Sequence, residues 1–217
     1  MERRRQRLEE VYERLFAAFG PQHWWPADSP FEVIVGAILT QNTAWKNVKQ
    51  AIGRLREHNL LTPEAIVLLP QHDLAPLIRA SGYYNQKARK LKDFCDHLHN
   101  HWQGKLDLFL GQELAQLRTE LLALRGIGPE TADSIILYAA QQPSFVVDTY
   151  THRIFHRHGW VPEVIGYEEL RSFFMDTLDP DVSRFQEYHA LLVRTGHLYC
   201  RRKPKCDNCP LDGWVGD

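Results

Sequence analysis

The chain has 217 residues, 44% of them hydrophobic, with 26 Lys and Arg against 27 Asp and Glu and a formal net charge of −1. That length leaves room for one large or two small domains with real cores, and the balanced charge gives no global electrostatic argument for a nucleic-acid partner. The longest wholly apolar run, Val33 to Leu39, is far too short to span a bilayer, and Met1 is followed by charge rather than by an apolar core; neither a membrane span nor a signal peptide is expected, and the cytoplasm is the expected compartment.

Taken in chain order, the predicted elements are helical. Arg3, Arg4, Arg5 and Arg7 crowd the N-terminus and read as solvated surface. Ser29-Pro30-Phe31-Glu32 combines a capping serine, a proline at the first helical position and a glutamate at the third, and it opens an apolar helix through Leu39. Thr62-Pro63-Glu64 opens another. Leu91, Phe94, Cys95 and Leu98 form the apolar stripe of a long helix ending near His101, which makes Cys95 a buried small hydrophobe. Leu114, Leu117, Leu121 and Leu124 line one face of a helix, and Thr131, Ala132, Ile135, Ile136 and Ala139 line the next, over 129–140. Helices are expected again near 149–157, 167–178 and 182–199. Only Phe145-Val146-Val147 looks strand-like, and it is too short to build a sheet. No repeat or low-complexity tract appears. The fold class is therefore all-α.

Between two of these helices lies Leu124-Arg125-Gly126-Ile127-Gly128-Pro129-Glu130. Gly126 and Gly128 permit positive φ and close backbone approach, and Pro129 suits the first helical position. The free N–H groups and positive dipole end of the helix that follows suit an anion such as a phosphate. Gly-x-Gly alone also fits an ordinary hairpin between two helices. Asp148 follows Glu130 by 18 positions, after the apolar stretch Ser144-Phe145-Val146-Val147. That stretch would desolvate its carboxylate, and on spacing alone Asp148 reads as a helix N-cap.

The four cysteines separate into Cys95 and a C-terminal set, Cys200-x5-Cys206-x2-Cys209. The latter spacing brings thiols to one point and reads as a metal or cluster site. A disulfide framework is not expected without a secretion signal. Arg201-Arg202-Lys203-Pro204-Lys205 sits within the loop, where it can meet phosphates or simply be solvated.

Leu124-x-Gly126-Ile127-Gly128-x-x-Thr131-Ala132 followed by Val147-Asp148-Thr149 resembles the helix-hairpin-helix and aspartate of the endonuclease III (helix-hairpin-helix-GPD) superfamily of DNA glycosylases. Leu39-Thr40-Gln41-Asn42-Thr43 and Gly82-Tyr83-Tyr84-Asn85-Gln86-Lys87-Ala88 resemble its two DNA-contacting loops, and His189 to Cys209 resembles its cluster-binding tail. Trp24-Trp25-Pro26, the two loops and Gly126-Ile127-Gly128-x-Glu130 are similar to the 3-methyladenine DNA glycosylase III branch.

The resemblance implies a two-domain all-α fold. A helical barrel domain with the hairpin would span residues 27–139. Residues 1–26 and 140–217 would form a terminal helical domain carrying the cysteine loop, with the DNA cleft between the two. It implies a monomer that acts on double-stranded DNA containing damaged bases, near the nucleoid. Asp148 would be the catalytic carboxylate. Gln41 and Tyr83 would fill and wedge the emptied stack, and Asn85, Lys87, Gly126 and Gly128 would bind DNA. Trp24, Trp25 and Trp45 would form the base pocket, although core packing is the other role open to three of six tryptophans. Glu130 replaces the lysine with which bifunctional members form a Schiff base, so a monofunctional hydrolysis of the N-glycosidic bond is expected. The cysteine loop would hold a 4Fe–4S cluster on Cys200, Cys206 and Cys209. Its first gap is one residue shorter than the family's, and Val215 stands where the fourth cysteine belongs. His197, Asp212 or Asp217 could complete the set, zinc could replace the cluster, or no metal could bind. The competing functions are a glycosylase for uracil, mismatched bases or another lesion, and a non-catalytic helix-hairpin-helix DNA-binding protein. A strand-cleaving lyase using another amine is a further alternative.

Overall fold

A computed structural model describes residues 2–214; Val215 and Asp217 lie outside them. The described residues form twelve α-helices and one 3-10 turn, with no strand. None of the helices is long and apolar enough to cross a membrane. The chain divides into two compact units, Ala27–Gln142 and the segments on either side of it.

The central unit is built around α2 (Pro30–Thr40). Every residue of α2 from Phe31 to Leu39 is buried, as expected for a helix apolar on all sides. It packs against α3 (Trp45–Glu57), α6 (Tyr84–Trp102) and α9 (Pro129–Tyr138). The start signal at Ser29 holds: its Oγ accepts from the Glu32 N–H at 3.2 Å. Glu32 is buried, and its carboxylate turns to the Arg56 guanidinium on α3, 2.8 Å away. Thr62 caps α4 (Pro63–Leu68) in the same way, accepting from Ala65 N–H at 3.2 Å. α5 (Gln71–Leu77), the 3-10 turn Arg79–Ser81 and α7 (Leu106–Leu110) are short elements with no marked periodicity in the sequence. α8 (Leu114–Ala123) and α9 flank the glycine hairpin. Helix α9 ends at Tyr138, but the unit runs on to Gln142. The Gln142 amide donates to Leu110 O at 3.0 Å and Gln112 O at 2.8 Å, which ties residues 140–142 back onto this unit beyond the expected boundary at 139.

The second unit contains α1 (Glu2–Phe19), α10 (Thr149–Arg157), α11 (Tyr167–Met175), α12 (Val182–Leu198) and the cysteine tail. Helix α12 packs against both α1 and α10. Its core is aromatic. Phe145 stacks on Phe174 with ring centroids 4.1 Å apart and meets Phe185 and Tyr188 edge-on. The buried Tyr188 hydroxyl donates to Leu8 O at 2.9 Å. Phe145, Val146 and Val147 are extended and buried with no strand partner; their side chains fill this core rather than extending a sheet.

Candidate DNA-processing site

In the central unit, Arg118 on α8 and Asp133 on α9 clamp the hairpin. The guanidinium donates twice to a carboxylate that is fully buried, at 2.9 and 3.1 Å. Gly126 sits between the helices at φ +85°, and Ile127 is buried beneath it. A methyl group added at Gly126 would come within 2.5 Å of the Lys90 side chain, so this position needs glycine on two counts. Gly128 is the exposed N-cap of α9, with nothing near it that a methyl would touch. Its neighbourhood is therefore open toward the helix N-terminus, as an approaching backbone phosphate requires. Glu130 occupies the first turn of α9 and is exposed.

The loop after α2 carries Gln41. Its Nε2 donates to Gly126 O at 3.0 Å and Thr131 Oγ1 at 2.9 Å, and its Oε1 accepts from Lys90 Nζ. The second loop carries Tyr83, a residue that is 67% exposed and whose backbone is left-handed, at φ +46°. Asn42 in the first loop is left-handed too, at φ +54°. Asn85 is exposed in the first turn of α6. Lys87 departs from its expected role. It is 2% exposed, and its ammonium donates to Leu39 O at 2.8 Å and Ser81 O at 2.7 Å. Burial, with Lys90 as a second cause, pulls its pKa down to about 8. An ammonium so enclosed cannot meet a phosphate. The motif shows where Lys87 lies along the helix, but the inward rotation of that face depends on packing.

In the second unit, Asp148 is the N-cap of α10. Its Oδ1 accepts from Thr151 N–H at 2.7 Å and from Thr151 Oγ1 at 2.9 Å. Its Oδ2 lies 3.9 Å from Nε2 of His189, and its side chain is 11% exposed. One oxygen is thus held by the helix, and the other faces the imidazole. Burial lowers the pKa of His189, while the Asp148 charge works in the opposite direction. His189 escaped the functional reading of the sequence, since a histidine within an apolar helical pattern carries no local signal. Tyr150 packs flat against Gly196, where a methyl would fall 2.2 Å from its ring. Its hydroxyl lies 3.2 Å from His197 Nε2. Gly196 therefore lets α10, and with it the Asp148 cap, lie close to α12.

The three tryptophans expected at the base pocket are half-buried, whereas Trp160 is a core tryptophan at 7% exposure. Trp24 and Trp25 belong to the terminal unit, with ring centroids 5.4 Å apart and planes tilted by 48°. Trp45 opens α3 in the central unit.

Cys200, Cys206 and Cys209 border a cavity of about 180 Å³, together with His158 and Asp212. Among the described residues no three His, Cys, Asp or Glu side chains converge closely enough to hold a single metal ion. Burial raises the Cys209 thiol pKa, and the neighbouring Cys206, Cys200 and Asp212 push in the same direction. Of the proposed completions, Asp212 borders the cavity, His197 is engaged with Tyr150, and Asp217 lies outside the described residues. Arg153 and Arg157, both on α10, hold the start of the loop. Arg153 donates to Cys200 O at 2.6 Å; Arg157 donates to Arg201 O at 2.6 Å, to Arg202 O at 3.0 Å and to Cys200 Sγ at 3.4 Å. The run Arg201 to Lys205 is exposed throughout.

Residues 35–180 match the model of the HhH-GPD superfamily of base excision DNA repair proteins. A candidate DNA repair glycosylase of Methanocaldococcus jannaschii is 42% identical over 94% of this chain and 93% of its own length. Endonuclease III of Sulfolobus acidocaldarius is 30% identical over 83% of this chain and 79% of its own. The 3-methyladenine DNA glycosylase of H. pylori, solved with 1,N6-ethenoadenine, is similar in fold, with a TM-score of 0.75 at 25% identity over 89% of this chain and 97% of that one. A non-covalent endonuclease III–DNA complex gives a TM-score of 0.83 at 23% identity, over 97% of this chain and 94% of that one.

Proposed function

We propose, for a chain that belongs to the HhH-GPD superfamily of base excision DNA repair proteins, a monofunctional glycosylase reaction on an alkylated, 3-methyladenine-like base. The chain is a DNA glycosylase that acts on double-stranded DNA containing damaged bases; the lesion and the absence of lyase chemistry are the proposal. The observation that carries it is the acid at position 130 of the hairpin, in a chain that keeps a carboxylate at Asp148. One carboxylate is held in place by its helix, and the hairpin position that would supply an amine instead holds an acid.

A buried base must first leave the duplex, at a cost of a few kcal/mol in stacking and pairing. The exposed Tyr83 ring and Gln41 are the side chains proposed to occupy the space it vacates, and Asn85, Gly126 and Gly128 to contact the strand. Trp24, Trp25 and Trp45 are the proposed base-pocket residues, since an indole face attracts a cationic alkylated purine by about 1–2 kcal/mol. Such a base is already a good leaving group, so no strong acid is needed. As the N-glycosidic bond breaks, positive charge builds on the sugar. Asp148 Oδ2 stabilises that charge or orients the attacking water. Water supplies the hydroxyl that ends on the sugar, and its proton leaves with the free base or the solvent. The strand stays intact, because a glutamate forms no imine. The ethenoadenine bound to the H. pylori relative supports an adducted purine as the class of substrate.

Cys200, Cys206 and Cys209 are proposed to hold a 4Fe–4S cluster, with Asp212, which borders the same cavity, as the candidate fourth ligand. Such a group would order the loop and present Arg201 to Lys205 to phosphates. Protein purified without oxygen is expected to contain about four irons and matching sulfide, with broad visible absorption. Iron-free protein with an unchanged fold and DNA affinity would overturn the cluster.

The test of the function is mass analysis of what is released from a mixed-lesion DNA panel. Free 3-methyladenine with intact abasic strands is expected, and borohydride should trap no covalent enzyme–DNA adduct. Release of uracil or thymine alone would move the substrate to the mismatch class. A trapped adduct with strand nicking would restore a lyase, and release of no base would leave a DNA-binding protein without turnover.

A further inference from the structure

We propose that Lys87 and Lys90 are positioning residues that brace the three DNA-reading segments of the central unit, and that neither binds a phosphate. The proposal rests on the reading that Gln41, Tyr83 and the glycine hairpin face DNA.

The two lysines are three residues apart on α6 and so project from one face of the helix. Lys87 joins two of the segments. Leu39 O lies in the last turn of α2, just before the Gln41 loop, and Ser81 O ends the 3-10 turn, just before Tyr83. Both are carbonyls at helical C-termini, which lack intrahelical donors and carry the negative end of the dipole. One buried ammonium satisfies both. Lys90 joins the third segment. Its Nζ donates to Gln41 Oε1, and its methylene stem lies against Gly126 so closely that a methyl there would force the stem aside. Gln41 in turn donates to Gly126 O and Thr131 Oγ1.

The places these lysines hold coincide with backbone strain. Asn42 follows Gln41, and Tyr83 lies two residues after Ser81; both are left-handed at φ +54° and +46°. Residues other than glycine hold that conformation only when their surroundings impose it. Tyr83 is largely exposed, so its own ring contributes little of that constraint. The bonds from Lys87 and Lys90 supply constraint from behind. The protein thereby presents an exposed aromatic and a carboxamide at fixed positions, from loops too short to hold them alone.

The experiment uses full-length Lys87→Met and Lys90→Met, which keep the stem and remove the ammonium. Hydrogen exchange at residues 40–43, 81–84 and 125–128 is expected to speed up by at least about tenfold in one or both variants, with α4 and α12 unchanged. Affinity for lesion-containing DNA should fall, while the slope of log K against log salt stays at the wild-type value, since no phosphate contact is lost. A slope reduced by about one per lysine would make them phosphate ligands and overturn the proposal. Exchange at wild-type rates in all three segments would overturn it too. If Lys87→Met does not fold, Lys90→Met and Gly126→Ala, which drives a methyl into the Lys90 stem, test the same brace. Their effects should be less than additive in combination, and full additivity would count against it. Base release by the wild-type protein tests the reading beneath the proposal separately. A wild type without excision but with loosened loops in the variants would sink that reading and leave the brace standing.

Discussion

Asp148→Asn is expected to lower single-turnover base release by roughly 100-fold or more, while damaged-DNA affinity stays within a few-fold of wild type. Asparagine is the informative replacement because Asp148 has two roles in the structure. Its Oδ1 caps α10 through Thr151, at 2.7 Å to the amide and 2.9 Å to the hydroxyl. Asparagine caps helices about as well as aspartate, so the fold should persist with little loss of stability. What disappears is the negative charge on Oδ2, beside His189. Asp148→Ala removes both roles and should cost about 1 kcal/mol of stability in addition to the loss of activity. Wild-type excision by the asparagine variant would remove the carboxylate from the chemistry and leave Asp148 as a cap. His189→Phe tests the neighbour. If His189 positions Oδ2, the variant should lose excision with near-normal DNA affinity, and asparagine at that position should restore part of it.

Arg118→Met is expected to destabilise the central unit by about 3–5 kcal/mol, the largest stability effect foreseen for a single polar side chain here. Asp133 has no solvent exposure, and Arg118 meets it with two parallel bonds at 2.9 and 3.1 Å. Removing the guanidinium takes two charge-assisted bonds from Asp133, and less then offsets the desolvation of its buried carboxylate. The pair joins the two helices of the hairpin, so amides of α8 and α9 should lose protection before the rest of the molecule. Hydrogen exchange is the suitable measurement, since a chain of two units need not unfold in one step. Replacing both partners with apolar residues, Arg118→Met with Asp133→Leu, should recover much of the loss. A loss below about 1 kcal/mol in the single variant would mean that apolar packing, not this ion pair, holds the hairpin.

These two predictions differ in how far the sequence alone could have led to them. The cap at Asp148 and its apolar lead-in are local features, and the resemblance to the family adds the meaning of its distance from the hairpin. The Arg118–Asp133 pair has no such local signal. Both residues lie on helices whose apolar positions dominate the pattern, and a charge inside such a helix looks like surface until the partner helix is in place. His189 was missed for the same reason. Lys87 is legible as part of a motif, and the resemblance of that motif to a DNA-contacting loop implies a phosphate contact that its burial excludes. The helix starts at Ser29, Thr62 and Pro129 and the hairpin glycines were readable because capping and positive φ act over three or four residues. Helices α5 and α7 were not, because seven and five residues make at most two turns, too few for an apolar spacing to recur.

The sequence by itself determined the helical class, the hairpin, the aspartate that follows it and the lysine missing from it. The helical class and the hairpin are written in neighbouring residues and need only local backbone physics, whereas the aspartate's role and the missing lysine rest on the resemblance to the family. Tertiary packing alone decided which way Lys87 faces, which oxygen of Asp148 is taken by its own helix, that Gly126 must make room for Lys90, and that three cysteines border one cavity. Those outcomes depend on contacts between residues far apart in the chain, where burial sets both the cost of a charge and the partner that offsets it.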